Sequence, residues 1–502
     1  MNTKIALGFV ATAATAGLAT ACSEKKDPRP NVILIITDQH RFDYIGSVND
    51  QIITPNIDQL STDGNRFAYG YTAAPSSTPA RAGLLTGQTP YHHGLLGYSN
   101  KICSTYQHVM PKMLADAGYH TAAVGKMHWY PQKNLHGLHE LYVDESGRVE
   151  SDGFESDYRQ WFNLVAPNLN PDSLGIGWND HAAGIFPLAD SLHPTAWTAM
   201  KSIDVIDKYD KTKPLFLKVS FARPHSPYDP PQKYFDMYEN SEIDGPVHAE
   251  WSDEFAKYPP NPSAAFGYYG DDYAINSRKH YAASITFIDE ELGKIIQKLK
   301  DEGLYENSVI VFSSDHGDML GDHNHWRKTY AYEGSAHIPY IVKMPSSMQK
   351  QVKPGEVVYR TAELRDVLPT FLEAAEVEIP AEVDGLSLYE PIRNGENAEW
   401  REYIDMEHAD TYRANSAWVA LTDGKLKYIW NYADGNEIYF DLTVDPLEVT
   451  NIATDPSRQE EMAMWRKRMV NHLEERGETF VKNGELQKRP SMLFGPNFKR
   501  NK

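Results

Sequence analysis

The chain has 502 residues, a formal net charge of −20, 41% hydrophobic residues and only two cysteines. That length exceeds one simple core and suits two or three domains, or a large α/β fold with an appendage. The acidic balance repels phosphate backbones and anionic membranes at long range, so no nucleic-acid partner is expected.

In chain order, Lys4 and the run "IALGFVATAATAGLATA" end just before Cys22, the pattern of an export signal. The run is short for a membrane span, and no later segment approaches ~18 uninterrupted apolar residues. The stretch "LATAC" resembles a bacterial lipoprotein box, which implies a signal peptide over 1–22, acylation of Cys22 as a lipid anchor and a polar tether over 23–30. The implied location is the periplasm or the outer membrane and cell surface of a Gram-negative bacterium; a signal peptide ending at an incidental cysteine is the other reading. With Cys22 lipidated, Cys103 has no internal partner and is expected to be a packed structural residue.

"NVILIIT" (31–37) is an apolar, β-branched run of the kind found in parallel strands covered on both faces. Similar runs recur as "YHTAAVG" (119–125), "PLFLKVSF" (214–221), "SVIVFSSD" (308–315) and "IPYIVKM" (338–344). Between them lie helical patterns: "TPNIDQLSTDG" with Thr54 as N-cap and Pro55 at N1, "YQHVMPKMLADAG", "HPTAWTAMKSIDVIDKY" and "YAASITFIDEELGKIIQKLKDEG". This alternation predicts an α/β fold, a large mostly parallel sheet sandwiched by helices, over 31–398. Residues 130–194 and 228–273, rich in Pro, Gly, Asn and aromatics, read as long excursions able to shape a substrate pocket. After the helix "LRDVLPTFLEAAEV", alternation around Asp423-Gly424 and Asp434-Gly435 predicts antiparallel hairpins, followed by the helix "EEMAMWRKRMVNHLEERG". These define a smaller α+β module over 399–502.

Ligands of such sheets sit beyond the carboxyl ends of the strands, where Asp38, Lys126, His128, Arg223, His225, Asp315 and His316 fall. Asp38-Gln39 and Asp315-His316 offer hard donors suited to Ca²⁺ or Mg²⁺ if their strands are neighbours, although an Asp at a strand end also caps turns and helices. Ser76 or Ser77 can cap the small-residue helix that follows, and a helix N-terminus also favours an anion.

"STPARAGLLTG" (77–87) resembles the sulfatase signature C/S-x-P-S/A-R-x-x-L-x-T-G. "LIITDQ", "GYHTAAVGKMHW", "ARPHSPYDPP", "SSDHGDMLGDHNHWRK" and "YFDLTVDPLEVTNIA" resemble further elements of that family in the expected order, from Asn31 to about Ala453. The resemblance implies an alkaline-phosphatase-superfamily fold and oxidation of Ser77 to formylglycine (3-oxoalanine) by a radical maturation enzyme. It implies a divalent cation, Ca²⁺ or Mg²⁺, on Asp38, Gln39, Ser77, Asp315 and His316. Two residues depart from the common pattern: Gln39 where many members have a second Asp, and His316 where many have Asn. Both are neutral, which leaves the cation more positive charge for its anionic ligand.

The implied roles follow the needs of sulfate ester cleavage, in which an anion repels nucleophiles and the leaving oxygen gains charge. Arg81, Lys126 and Lys328 supply positive charge, hydrated formylglycine at position 77 attacks sulfur, His128 takes a proton and His225 protonates the leaving oxygen. His92, His93, Trp129, His323, His325, Trp326 and Arg327 are candidates for lining a subsite for a sugar ring or carboxylate. The leading expectation is hydrolysis of a sulfated saccharide, a glycosaminoglycan or algal glycan fragment. The alternatives are a phosphonate monoester or phosphodiester hydrolase, in whose branch Asp38-Gln39 occurs, and a catalytically silent glycan-binding lipoprotein with Ser77 unmodified.

Overall fold

A computed structural model describes residues 27–100, 105–145, 147–348 and 352–498. The export signal, Cys22 and Cys103 lie outside the described residues.

An eight-stranded sheet is built from β1 (Asn31–Asp38), β2 (Asn65–Tyr71), β3 (His120–Gly125), β4 (Glu140–Val143), β5 (Leu215–Pro224), β6 (Ser308–Ser314), β7 (Tyr340–Lys343) and β8 (Val357–Glu363). Its order is β4-β3-β5-β1-β6-β7-β2-β8. Pairing is parallel except where β7 meets β6 and β2. All eight residues of β1 are buried, because alternate side chains enter different cores. Val32, Leu34 and Ile36 pack with Leu84 and Phe371 from the helices Ser77–Thr86 and Val367–Ala374. Ile33 and Ile35 pack with Trp197, Ile288 and Leu292 from Pro194–Lys208 and Asp271–Asp301 on the other face. The result is the helix–sheet–helix sandwich that the apolar runs predict.

The apolar runs do not disclose β2, β4 and β8. Their burial alternates or breaks off, since β4 and β8 are the edges of the sheet and β2 lies beside one. The run 338–344 forms β7 as expected, but periodicity carries no information about strand direction. The excursions also hold order of their own, including the helix Asp157–Val165, whose Ser156 side chain accepts from the Arg159 N–H.

A second sheet is antiparallel, in the order β12-β11-β10-β9, from β9 (Ile404–His408), β10 (Trp418–Thr422), β11 (Leu426–Asn431) and β12 (Asn436–Asp441). Its two tight turns fall at Asp423-Gly424 and Asp434-Gly435, where the glycines have φ of 87° and 81°. One face packs on Trp465 and Met469 of the helix Gln459–Leu473, and the other meets Tyr71 and Ala336 of the main unit.

Polar ties join the two units. Lys427, wholly buried, donates to Glu333 Oε1 (2.6 Å), Glu448 Oε1 (2.8 Å) and the Ala331 carbonyl (2.8 Å). His92 lies 2.8 Å from Asp384 and 3.1 Å from Glu475. Its bond to Asp384 leads the effects that raise its pKa to about 9. A raised histidine pKa stabilises fully below its unfolded value near 6.5, and the contribution is lost as pH rises through about 9. His92→Gln should therefore lower stability at pH 6 by about 1 kcal/mol, the partial exposure screening the pair, and match the parent at pH 10. Urea unfolding at the two pH values measures this.

Candidate active site

The strand order assembles the site. β3, β5, β1 and β6 are consecutive neighbours, and Lys126, His225, Asp38 and Asp315 stand at or just past their carboxyl ends. Thr37 of β1 is in register with Ser314 of β6, which sets Asp38 beside Asp315. Both carboxylates are inaccessible to solvent.

The helix Ser77–Thr86 crosses above these strand ends, and each signature residue has a local reason. Pro79 sits in the first turn, whose N–H groups have no partner within the helix. Leu84 enters the core, Thr86 Oγ1 donates to the Ala82 carbonyl (2.8 Å), and Gly87 ends the helix with φ 70°. Ser76 is the N-cap by position but makes no side-chain cap; its hydroxyl donates to His408 Nε2 at 2.7 Å. Ser77 and Arg81 stand one turn apart on the same helix face. Arg81 drives its guanidinium between the strand ends, with Nη2 2.9 Å from Asp38 Oδ2 and Nε 2.9 Å from Asp315 Oδ2. Ser77 Oγ is thereby carried to 3.0 Å from His316 Nε2.

Asp38 Oδ2 also receives Lys126 Nζ at 2.8 Å, whereas Asp38 Oδ1 is buried with no hydrogen-bond partner. His316 Nδ1 donates to the Gly317 carbonyl at 2.9 Å, so in the neutral ring the Nε2 lone pair faces inward. Burial holds its pKa near 4, and it is neutral at pH 7. That lone pair stands 4.0 Å from Asp38 Oδ1 and 3.6 Å from Asp315 Oδ1. Three donors converging this way repel unless a cation lies between them, and ligand atoms of Asp38, Asp315 and His316 all fall within 4.8 Å of one another. The residues present fit a divalent ion. Gln39, at φ 68°, accepts from Lys328 Nζ at 2.7 Å through its carbonyl oxygen and donates to Asp318 through its amide.

Burial by itself raises the Asp38 carboxyl, but Lys126, His225, Arg81 and His316 outweigh it and hold it well below the usual carboxylate range. Burial brings Lys328 down to about 7, with Asp38 opposing. Burial, then Arg148 and Lys126, push His128 well below its ordinary value. Both its ring nitrogens are buried without partners, and its backbone N–H and that of Met127 donate to Glu145 Oε1 at 3.0 Å each. His225 donates from Nδ1 to the Ser226 carbonyl at 3.1 Å, which turns Nε2 toward Asp38 Oδ1, 4.0 Å away.

A cavity of about 350 Å³ opens over these groups, lined by Ser76, Ser77, Lys126, His128, His225 and Lys328. Arg148, Trp178 and Asn179 reach it from the first excursion, and Thr411 and Tyr412 from the link between β9 and β10. The sequence shows the excursion as a pocket wall without singling out these residues, and it carries no signal for the link, which follows no periodic pattern.

Of the seven residues expected around a subsite, Arg327 alone lines this cavity. His92 is engaged by Asp384 and Glu475. His93 is buried and accepts from the Leu95 N–H. Trp129 borders a separate, smaller hollow of about 40 Å³. His323 bonds to the Leu447 carbonyl, His325 faces a different cavity, and Trp326 is buried against His181. Nearness to a motif in sequence failed here because the segment 320–329 is tightly folded, with φ positive at Leu320, His323, Asn324, Arg327 and Thr329, and throws successive side chains in different directions.

The chain is similar to known proteins along most of its length. A profile of the sulfatase family matches residues 30–377, and one of the N-sulphoglucosamine sulphohydrolase C-terminal region matches 321–475. An arylsulfatase of Clostridium perfringens is 36% identical over 474 residues, 92% of this chain and 98% of its own. A protein solved in complex with its substrate D-glucosamine-2-N,6-O-disulfate superposes with a TM-score of 0.71 at 21% identity, over 89% of this chain and 97% of its own. The phosphonate monoester hydrolase of Agrobacterium radiobacter superposes at 0.73 and 22% identity, over 92% of this chain and all of its own.

The Arg81 fork is measurable as stability. In EDTA, Arg81→Met should cost about 3–5 kcal/mol, since it strands two buried carboxylates, and Arg81→Lys less; saturating divalent cation should shrink both losses in urea titrations. Fold, strand-end carboxylates, helix-borne Ser77 and matches along the chain converge on one conclusion: the chain belongs to the sulfatase family of the alkaline phosphatase superfamily and is a sulfuric ester hydrolase.

Proposed function

We propose that the chain removes sulfate from a small sulfated saccharide, a glycosaminoglycan or algal glycan fragment, using Ser77 after its oxidation to formylglycine by a radical maturation enzyme. The observation that carries this reading is the placement of Ser77 Oγ, on the cavity, 3.0 Å from His316 Nε2, which itself stands 4.0 Å from the orphaned Asp38 Oδ1.

Asp38, Asp315 and His316, with the Gln39 carbonyl and position 77, would hold a Ca²⁺ or Mg²⁺ ion, which supplies positive charge to the ester oxygens. Oxidised and hydrated, position 77 supplies two hydroxyls, one to attack sulfur and one whose deprotonation releases sulfate. Lys126 and Lys328 orient the sulfate and offset its charge. His128, neutral and with both nitrogens free, takes a proton at the cavity wall. His225 presents Nε2 to the cavity to protonate the departing oxygen; the arriving anionic ester favours the protonated ring, which burial, Lys328 and Lys126 otherwise disfavour. The aromatic and hydrogen-bonding walls, half-buried Trp178 and Tyr412 with exposed Asn179, suit a sugar ring.

Asp38-Gln39 and the superposition with a phosphonate monoester hydrolase favour a second reading, cleavage of phosphonate monoesters or phosphodiesters in the same cavity. Assays of matured protein on defined sulfated saccharides, phosphonates and phosphodiesters separate the two. Sulfate release is expected to dominate and to fall below about one-thousandth in Ser77→Ala; release only from phosphorus esters, or from none, overturns the sulfatase reading.

In protein from a native host, mass spectra should show the Ser77 peptide short of two hydrogens and the Cys22 peptide acylated. The second result supports export and a lipid anchor at the periplasmic or outer face of a Gram-negative envelope. An unmodified Ser77 favours a silent, glycan-binding lipoprotein instead. Metal analysis should find one divalent ion per chain, lost in Asp38→Asn.

A further inference from the structure

Two cations lining the cavity are not used by the sulfate ester chemistry: Arg148, which pairs with Glu145, and Arg327. Arg327 is 8% exposed and lines the cavity beside Lys328. Its guanidinium makes no hydrogen bond or ion pair among the described residues, and Nε is buried without a partner. The one contact recorded for the charge is the face of Tyr412, 4.5 Å from the ring centroid. Carboxylates near it in sequence are spent elsewhere: Asp322 pairs with Arg41 and Arg278, Asp318 Oδ1 accepts from the Arg327 backbone N–H at 2.9 Å, and Asp318 Oδ2 accepts from Gln39 and Tyr228. The backbone at Arg327 has φ 64° and that of the β-branched Thr329 has φ 87°, conformations that cost energy and persist where the surroundings over-determine them. The neighbouring segments do so: Met319 N–H donates to the Arg327 carbonyl, Thr329 N–H to Pro75, and Trp418 Nε1 to the Thr329 carbonyl.

A charge count makes the surplus explicit. Arg81 is matched by Asp38 and Asp315, Lys126 by Asp38, and Arg148 by Glu145. Lys328 rests on the neutral Gln39 carbonyl and Arg327 on an aromatic face. A sulfate ester held by Lys126 and Lys328 leaves the Arg327 guanidinium without a counter-ion, a costly state for a cation only 8% exposed.

We propose that Arg327, backed by Tyr412, is a subsite for a second anionic group on the substrate, a carboxylate or a second sulfate on the saccharide that carries the scissile ester. The proposal rests on the sulfatase reading for the identity of the first anion, but not for binding of the second. Guanidinium suits this role because its planar donors grip either oxyanion through two parallel bonds. Arg327 thus sets which saccharide is accepted, while Lys328, the next residue, serves the ester itself.

The test is calorimetric titration of the chain carrying Ser77→Ala, with Ca²⁺ present, so that turnover consumes no ligand. Two matched pairs of probes differ by one anion: D-glucosamine-2-N,6-O-disulfate against N-acetyl-D-glucosamine 6-O-sulfate, and a uronate disaccharide of N-acetylgalactosamine 6-O-sulfate against its carboxyl-reduced form. In at least one pair the more anionic member should bind about 10-fold tighter or better, as one charge-assisted contact provides. Adding Arg327→Gln should remove most of that preference and Arg327→Lys should keep part of it; the pair that responds distinguishes a sulfate from a carboxylate. Equal binding within both pairs, no binding of any probe, or an equal loss for both members of a pair in Arg327→Gln overturns the subsite. Sulfate release by the unmutated protein is followed in parallel. Absence of release with the anion preference intact removes the sulfatase reading and leaves the subsite standing.

Discussion

Two carboxylates stand side by side, out of reach of water, at the ends of adjacent strands, and the rest of the site depends on how their repulsion is contained. Arg81 lies between them with one bond to each, and Lys126 adds a second charge to Asp38. Because both outer oxygens are taken in this way, the inner ones are left facing His316. The same fork fixes the helix that bears Ser77: four residues is one turn, so clamping Arg81 into the strand ends seats Ser77 above the imidazole. The spacing of the signature is thus a distance, converted into sequence by the pitch of an α-helix.

Much of this was legible before any coordinates. Runs such as 31–37 and 308–315 are covered on both faces, so their hydrophobicity is nearly unbroken, and polar residues directly after them mark the edge where ligands bind. Their pairing was not legible, because apolar runs do not say which strands are neighbours; the family resemblance supplied that step for Asp38 and Asp315. Edge strands such as β4 and β8 escaped notice since half their side chains meet solvent.

Adjacency in sequence misled in the segment 320–329. There His323 and His325 turn together toward Trp251 and Tyr332, and Trp326 toward His181, while Arg327 and Lys328 enter the cavity. Positive backbone angles at non-glycine residues contribute to this divergence, and side-chain pattern does not encode them. Contributions from far along the chain were equally hidden: His408 under Ser76 and Tyr412 behind Arg327 belong to the antiparallel unit, 332 and 85 residues from the groups they support.

The second sheet therefore does more than cover one flank of the first. By carrying His408 at the end of β9 and Tyr412 in the following link, it makes the cavity a joint property of two units. Such a partition lets the short stretch 409–417 vary in length and chemistry while strand ends and metal ligands stay untouched.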